Sequence, residues 1–296
     1  MLWFQALVLG LLQGLTEFLP VSSSGHLNGV PYLVGWPPGT IAFDVMVHAG
    51  TLLAVVAYFR WDLWFLITGG LGVAGRDAGE RRLARRTIAL LAVGSVPAAL
   101  AGYLFEPTFE LAFANERIIA GFLYLTALLL IAAEWIRRRR VAAELGKRPR
   151  ELERHERRRD PGRHEGTTRF GDAAGIGVAQ ALAIFPGVSR SGATIAAGMA
   201  LGLSRAGAAR FSFLLSIPVI VGATVFKLPD IGTTEVGAAP FGGPEIAVGM
   251  TAAAVSGYWA IRFLLRLVQT HDLLGFARYV AGFATLLLLA SVFVIG

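Results

Sequence analysis

The chain has 296 residues, of which 55% are hydrophobic and only 16% charged, with a mean hydropathy of +0.60. A soluble domain carries about a quarter of its residues as charges, so this balance excludes an ordinary soluble fold and points to a polytopic membrane protein. The net charge of +7 is concentrated in one loop, and the absence of cysteine excludes disulfides and thiolate metal sites.

In chain order, residues 2–35 form an apolar stretch broken by Pro20 and by the polar phrase VSSSGH at 21–26. The N-terminal MLWFQALVLGLLQGL lacks a positively charged start, so we expect mature structure here and not a cleaved signal. Apolar runs long enough to cross a bilayer are predicted at 41–59, 87–105 and 118–136. Between 137 and 169 lie thirteen Lys/Arg and six Asp/Glu; elsewhere 14 basic residues face 14 acidic ones. No aromatics interleave these arginines, as a nucleic-acid stacking surface would require. The positive-inside rule instead makes 137–169 a cytoplasmic loop. A second broken stretch follows at 172–203, and further spans are predicted at 211–226, 246–267 and 273–295. Arg262 and Arg278 lie near the ends of the last two, where long side chains snorkel to the interface.

A shift of 167 residues lays GLLQGLTEFLPVSSSG (10–25) on GVAQALAIFPGVSRSG (177–192) with eight of sixteen positions identical. Five arginines against Asp77 and Glu80 put 76–86 inside, whereas acidic 106–116 lies outside. The three spans after each copy then run in opposite directions, which is an inverted-topology repeat. Pro20 and Pro186 interrupt backbone hydrogen bonding, and non-helical backbone at membrane depth is tolerated only inside protein or beside water. We therefore expect an all-α integral membrane protein with six spanning helices and two re-entrant helix–loop–helix hairpins, 2–35 and 172–203. The first repeat would be 1–136, the basic loop 137–169 and the second repeat 170–296.

The ionisable side chains of residues 1–36 are Glu17 and His26; those of 172–203 are Asp172, near the mouth, and Arg190. A buried ionisable group in a membrane protein is a functional candidate by default. Gln13 and Glu17 share a helix face at i, i+4, where Glu17 suits a cation or a base and Gln13 only hydrogen bonding. Ser22, Ser23 and Ser24 followed by Gly25 and His26 suit a nucleophile beside a general acid/base, or a helix cap, or both. In the second copy Arg190 stands where the first has Ser23, amid Ser189, Ser191 and Thr194, a set that suits a phosphate. A carboxylate, a hydroxyl–histidine pair and an arginine at membrane depth fit a phosphate ester whose remainder is lipid. Asp44 and His48 share a helix face inside a predicted span, with no role assigned by sequence.

QGLTEFLPVSSSGH and FPGVSRSGATIAAGMALGLSR closely resemble the two signatures of the undecaprenyl-diphosphate phosphatases of the BacA/UppP type, and FSFLLSIPVIVGAT (211–224) fits as well. The resemblance covers essentially the whole chain. It implies a multi-pass enzyme of the inner (plasma) membrane that removes the terminal phosphate of undecaprenyl diphosphate, recycles the cell-wall lipid carrier and confers bacitracin resistance. It carries catalytic positions onto Glu17, Ser23, His26 and Arg190. Gln13, Ser22, Ser24, Ser189, Ser191 and Thr194 are expected to bind substrate. It also implies dependence on a divalent cation, Mg²⁺ or Ca²⁺, near Glu17. The family's first motif usually reads Glu-x-x-x-Glu, and Gln13 departs from it, so Gln13 cannot act as a charged ligand or base. A second lipid-phosphatase superfamily uses similar phrases but requires His six residues after the Arg, where Ala196 stands. Hydrolysis at an outward-facing site is thus expected, with Ser23 or Ser22 as nucleophile or a positioned water. The rival reading is a transporter that flips the lipid phosphate on the same inverted repeat. A homodimer is compatible with the sequence and not specified by it.

Overall fold

The computed structural model describes residues 2–73, 75–105, 108, 115–145, 160, 162–227 and 238–293. Helices α1 (Leu2–Phe18) and α2 (Ser23–Val34) form a pair, followed by α3 (Ile41–Tyr58), α4 (Arg60–Leu71), α5 (Ala78–Leu104) and α6 (Glu116–Leu145). A short 3-10 turn at Glu165–Thr167 precedes a second pair, α7 (Phe170–Leu182) and α8 (Arg190–Ala200). The chain continues through α9 (Arg205–Lys227), α10 (Gly243–Leu267) and α11 (Leu274–Phe293). Among the described residues the only strand-like feature is an isolated bridge between Arg163 and Leu203.

Six helices, α3, α5, α6, α9, α10 and α11, are long and apolar enough to cross a membrane, and they coincide with the six predicted spans. Large apolar side chains such as Leu128, Trp259 and Leu289 remain exposed on them. A soluble surface would not tolerate so many, and lipid accounts for them. The chain is an all-helical, multi-pass membrane protein. Helix α4 was not predicted. It starts directly after Phe59, is only 12 residues long, and exposes Trp61 and Trp64. The Arg60 guanidinium lies 5.5 Å above the Trp61 ring, an arrangement suited to the lipid–water boundary.

The repeat is visible in the packing. Helix α1 lies along α10, and its counterpart α7 lies along α5; α6 packs on α11, and α3 on α9. Both helix-pair contacts are made at equivalent glycines. A Cβ on Gly10 would stand 2.2 Å from the Gly249 carbonyl oxygen, and one on Gly177 would stand 2.5 Å from that of Gly94. Gly10 and Gly177 are 167 residues apart, so one close approach has been written twice. Gly177→Ala must push α7 away from α5, and overpacking of this kind costs about 1–3 kcal/mol. A lowered thermal midpoint in detergent is expected; an unchanged one would mean that the backbones are not so close.

The core is built from Phe18, Phe59, Phe213 and their aliphatic neighbours, with Phe18 edge-on to Phe213 at 5.4 Å. The halves are also tied by one deeply buried ion pair. Glu134 on α6, 1% exposed, receives Nε and Nη2 of Arg205 on α9 at 2.6 and 2.7 Å and the Leu273 amide at 3.1 Å. Removing one partner of such a pair strands the other charge, so Glu134→Ala should lower stability by about 3–5 kcal/mol. Thermal unfolding of the purified variant checks this, and a loss below the error of the measurement contradicts it.

Candidate active site

The turns at 19–22 and 183–189 are built alike. Ser22 caps α2 by accepting the Gly25 amide at 3.2 Å, and Ser189 caps α8 by accepting the Gly192 amide at 3.0 Å. The backbone differs between them. Ser22 has φ +74°, alone among the described non-glycine residues, whereas Ser189 has φ −69°. Such a conformation costs about 1–3 kcal/mol and persists only where the surroundings impose it. His26 helps to impose it, because its Nδ1 lies 2.7 Å from the Ser22 carbonyl oxygen. Gly187 has φ +94°, and a Cβ there would meet the Ile119 carbonyl oxygen at 2.4 Å. Only glycine fits this turn.

The two turns also brace each other reciprocally. Ser24 Oγ accepts the Gly187 amide at 3.3 Å, and Ser191 Oγ donates to the Leu19 carbonyl at 2.9 Å. Ser24 and Ser191 are equivalent in the repeat. Thr126 on α6 pins the second turn: its hydroxyl donates to the Gly187 carbonyl at 3.0 Å and accepts the Ser189 amide at 2.9 Å. Four of the hydroxyls expected to bind substrate, those of Ser22, Ser24, Ser189 and Ser191, are thus engaged in caps and in turn-to-turn bonds.

Between the turns sits Glu17, 7% exposed. Its Oε1 receives Arg190 Nη2 at 2.6 Å, and its Oε2 receives Ser23 Oγ at 2.7 Å and Gln13 Nε2 at 3.1 Å. A carboxylate from the first repeat is therefore held by the arginine of the second. At such depth neither charge is tolerable without a partner. The other side of Arg190 rests on α9: Nη1 donates to the Ser212 carbonyl at 3.4 Å. Thr194 donates to the Arg190 carbonyl at 2.8 Å and shares a 2.6 Å hydrogen bond with the Ser212 hydroxyl, so it fixes the arginine's backbone.

His26 is placed differently from the expectation. It is 1% exposed, its Nε2 lies 2.8 Å from the Tyr279 hydroxyl, and its ring stacks on Phe283 at 4.2 Å. Both ring nitrogens are engaged, and neither reaches Ser23. The group hydrogen-bonded to Ser23 is Glu17. The imidazole that faces Glu17 is His48, with Nε2 3.9 Å from Oε2 and Nδ1 2.7 Å from the Asp44 carbonyl oxygen. His48 was visible in the sequence as a polar residue inside a span, without a partner to give it meaning. Thr126, Ser212 and Tyr279 carry no local signal, because each becomes relevant only through a distant hydrogen bond.

Chemically, an ionised carboxylate bonded to a hydroxyl is arranged to take its proton, and a fixed guanidinium to bind an anion's oxygens. Among the described residues no three of His, Cys, Asp and Glu come together. Gln13 Oε1, on the amide that touches Glu17, is buried with no hydrogen-bond partner. Glu17 and this orphaned oxygen fit a hard cation that takes most of its ligands from water and substrate phosphate, as Mg²⁺ does.

An apolar cleft of about 440 Å³ reaches this centre between α5, α7 and α9. Arg190 lines it, and small or aliphatic residues such as Ala99, Gly102, Ile184 and Gly222 form walls that extend to Lys227 at the end of α9.

Known proteins give this geometry a family. The family model described as bacitracin resistance protein BacA matches residues 6–286. The undecaprenyl-diphosphatase of Pelobacter propionicus is 41% identical over 280 residues, 93% of this chain and 92% of that protein. Those of Rubrobacter xylanophilus and Alcanivorax borkumensis are each 42% identical, over 289 and 293 residues. The first match covers 95% of this chain and 96% of its relative, the second 97% and 99%. With a paired-turn site built from both repeats and matches along nearly its whole length, the chain belongs to the BacA bacitracin resistance protein family.

Proposed function

We propose that the chain hydrolyses undecaprenyl diphosphate to undecaprenyl phosphate and inorganic phosphate in the inner membrane, recycling the cell-wall lipid carrier. One observation carries this reading: the guanidinium that lines an apolar cleft also holds the carboxylate that accepts the Ser23 hydroxyl. An anion site joined to a lipid-sized cleft suits a polyprenyl diphosphate, and the nucleophile beside it suits cleavage better than passage. The names of the relatives, undecaprenyl-diphosphatases, support the same substrate.

The terminal phosphate binds to Arg190, which swings part of its bonding from Glu17 to the phosphate oxygens. Ser23 Oγ attacks the terminal phosphorus while its proton passes to Glu17 Oε2. The bond from phosphorus to the bridging oxygen breaks, undecaprenyl phosphate leaves, and water then releases inorganic phosphate from the serine. Most of the catalysis lies in positioning and charge stabilisation, as is usual in phosphoryl transfer. A divalent cation held by Glu17 and Gln13 Oε1 would neutralise charge on the diphosphate. His26 is a positioning residue in this scheme, keeping the strained Ser22 turn that aims Ser23. The tail lies in the cleft along α9, which the charge rule opens toward the outer leaflet, and the site then faces outward.

Purified protein in proteoliposomes separates hydrolysis from flipping. Release of inorganic phosphate from outward-facing undecaprenyl diphosphate is expected without movement of intact lipid across the bilayer. Movement of intact diphosphate without phosphate release would establish the transporter instead.

A further inference from the structure

A second cavity, this one polar, lies at the other end of α8, away from Glu17. It measures about 470 Å³, and among the described residues it is lined by Arg137, Arg140, Arg163 and Arg169, with no described Asp or Glu in its wall. Three of these arginines are fixed in place. Arg140 donates to the Met199 and Ala200 carbonyls at 3.3 and 2.6 Å, closing the end of α8. Arg163 donates to Asp172 and to the Leu201 carbonyl, each at 2.7 Å, and its backbone is bonded to Gly202 and Ser204. Arg137 pairs with Asp160 at 3.2 Å, and its Nε is buried with no hydrogen-bond partner.

Among the described residues, four guanidinium groups against the two paired carboxylates leave an excess of about two positive charges around one cavity. Guanidiniums held in advance lose little freedom on binding, and they match phosphate oxygens in two-point fashion. Met199, Leu201 and Leu203 form an apolar wall beside them. The cavity belongs to the basic face that the positive-inside rule assigns to the cytoplasmic leaflet, where anionic lipids concentrate.

We infer that this cavity is a binding site for a phosphate group, distinct from the Glu17–Arg190 centre. The apolar wall accommodates a phospholipid headgroup, and inorganic phosphate offers the same chemistry. The two sources are separated by experiment on the full chain carrying Arg190→Ala, so that binding at the first centre does not contribute. Native mass spectrometry compares retention of cardiolipin and phosphatidylcholine, alone and with millimolar inorganic phosphate. Cardiolipin should be retained roughly tenfold better, and Arg140→Gln with Arg163→Gln should erase that preference, since each basic residue near an anionic surface contributes measurably. Arg139→Gln removes the same charge from a guanidinium that stacks on Trp135 outside the cavity, and it should change nothing. Inorganic phosphate adducts that depend on Arg140 and Arg163, without lipid preference, identify free phosphate as the ligand. If neither probe depends on these residues, or Arg139→Gln weakens binding equally, the attraction is diffuse and the site does not exist. Should the double variant lose its fold, Arg169→Gln at the exposed rim decides: a severalfold loss supports the site, and no loss overturns it.

Discussion

Arg190→Ala is expected to lower phosphate release from a polyprenyl diphosphate by at least about a thousandfold, the scale on which a transition-state arginine acts. Two effects combine in that loss. The terminal phosphate no longer meets a fixed guanidinium, and Glu17, 7% exposed, loses the partner 2.6 Å away. Stranding a buried charge costs about 3–5 kcal/mol, so the variant should also unfold at lower temperature. Arg190→Lys separates the two effects. It keeps a charge near Glu17 but cannot engage Glu17, the Ser212 carbonyl and phosphate oxygens together, since lysine is a point donor. Stability should recover while activity remains low. If Arg190→Lys restores activity to near the wild-type rate, the two-point grip on phosphate is not what catalysis needs.

Ser23→Ala is expected to reduce hydrolysis by at least roughly a hundredfold, in kcat more than in KM, because the hydroxyl is asked to act only as the reaction proceeds. The Ser22 and Ser24 hydroxyls should matter less to chemistry, since one caps α2 and the other accepts the Gly187 amide. Rapid quenching of the wild type with substrate should leave a phosphoryl group on the peptide that carries Ser23. An unmodified peptide, with a milder loss in Ser23→Ala, would make water the nucleophile and Ser23 its positioner.

Much of this was legible in the sequence, for reasons that can be named. Spans were readable because a bilayer demands length and hydrophobicity that few other environments reward. Charge at membrane depth is costly, so Glu17 and Arg190 stand out against their surroundings, and a repeat offset of 167 residues sets Glu17 just before one turn and Arg190 just after the other. Their contact followed from needing partners. Helix α4 escaped because its apolar residues show neither the length of a span nor a clean stripe. His26 lies three residues after Ser23, yet its ring is held by Ser22 and Tyr279, a direction that local spacing does not reveal. His48 came to Glu17 from another helix, which no local spacing reveals. For the serines of the first turn the sequence allows a cap beside a role on the substrate; in the structure Ser22 and Ser189 cap their helices while Ser24 and Ser191 bond turn to turn.

In the proposed reaction, carboxylate and guanidinium from the two repeats act as a single unit on the phosphate. A double-mutant cycle of Glu17→Gln and Arg190→Lys, read in kcat/KM for polyprenyl diphosphate hydrolysis, tests it most directly. The double variant should be about as impaired as the worse single variant. If the two losses simply multiply, the residues work independently and the composite site is wrong.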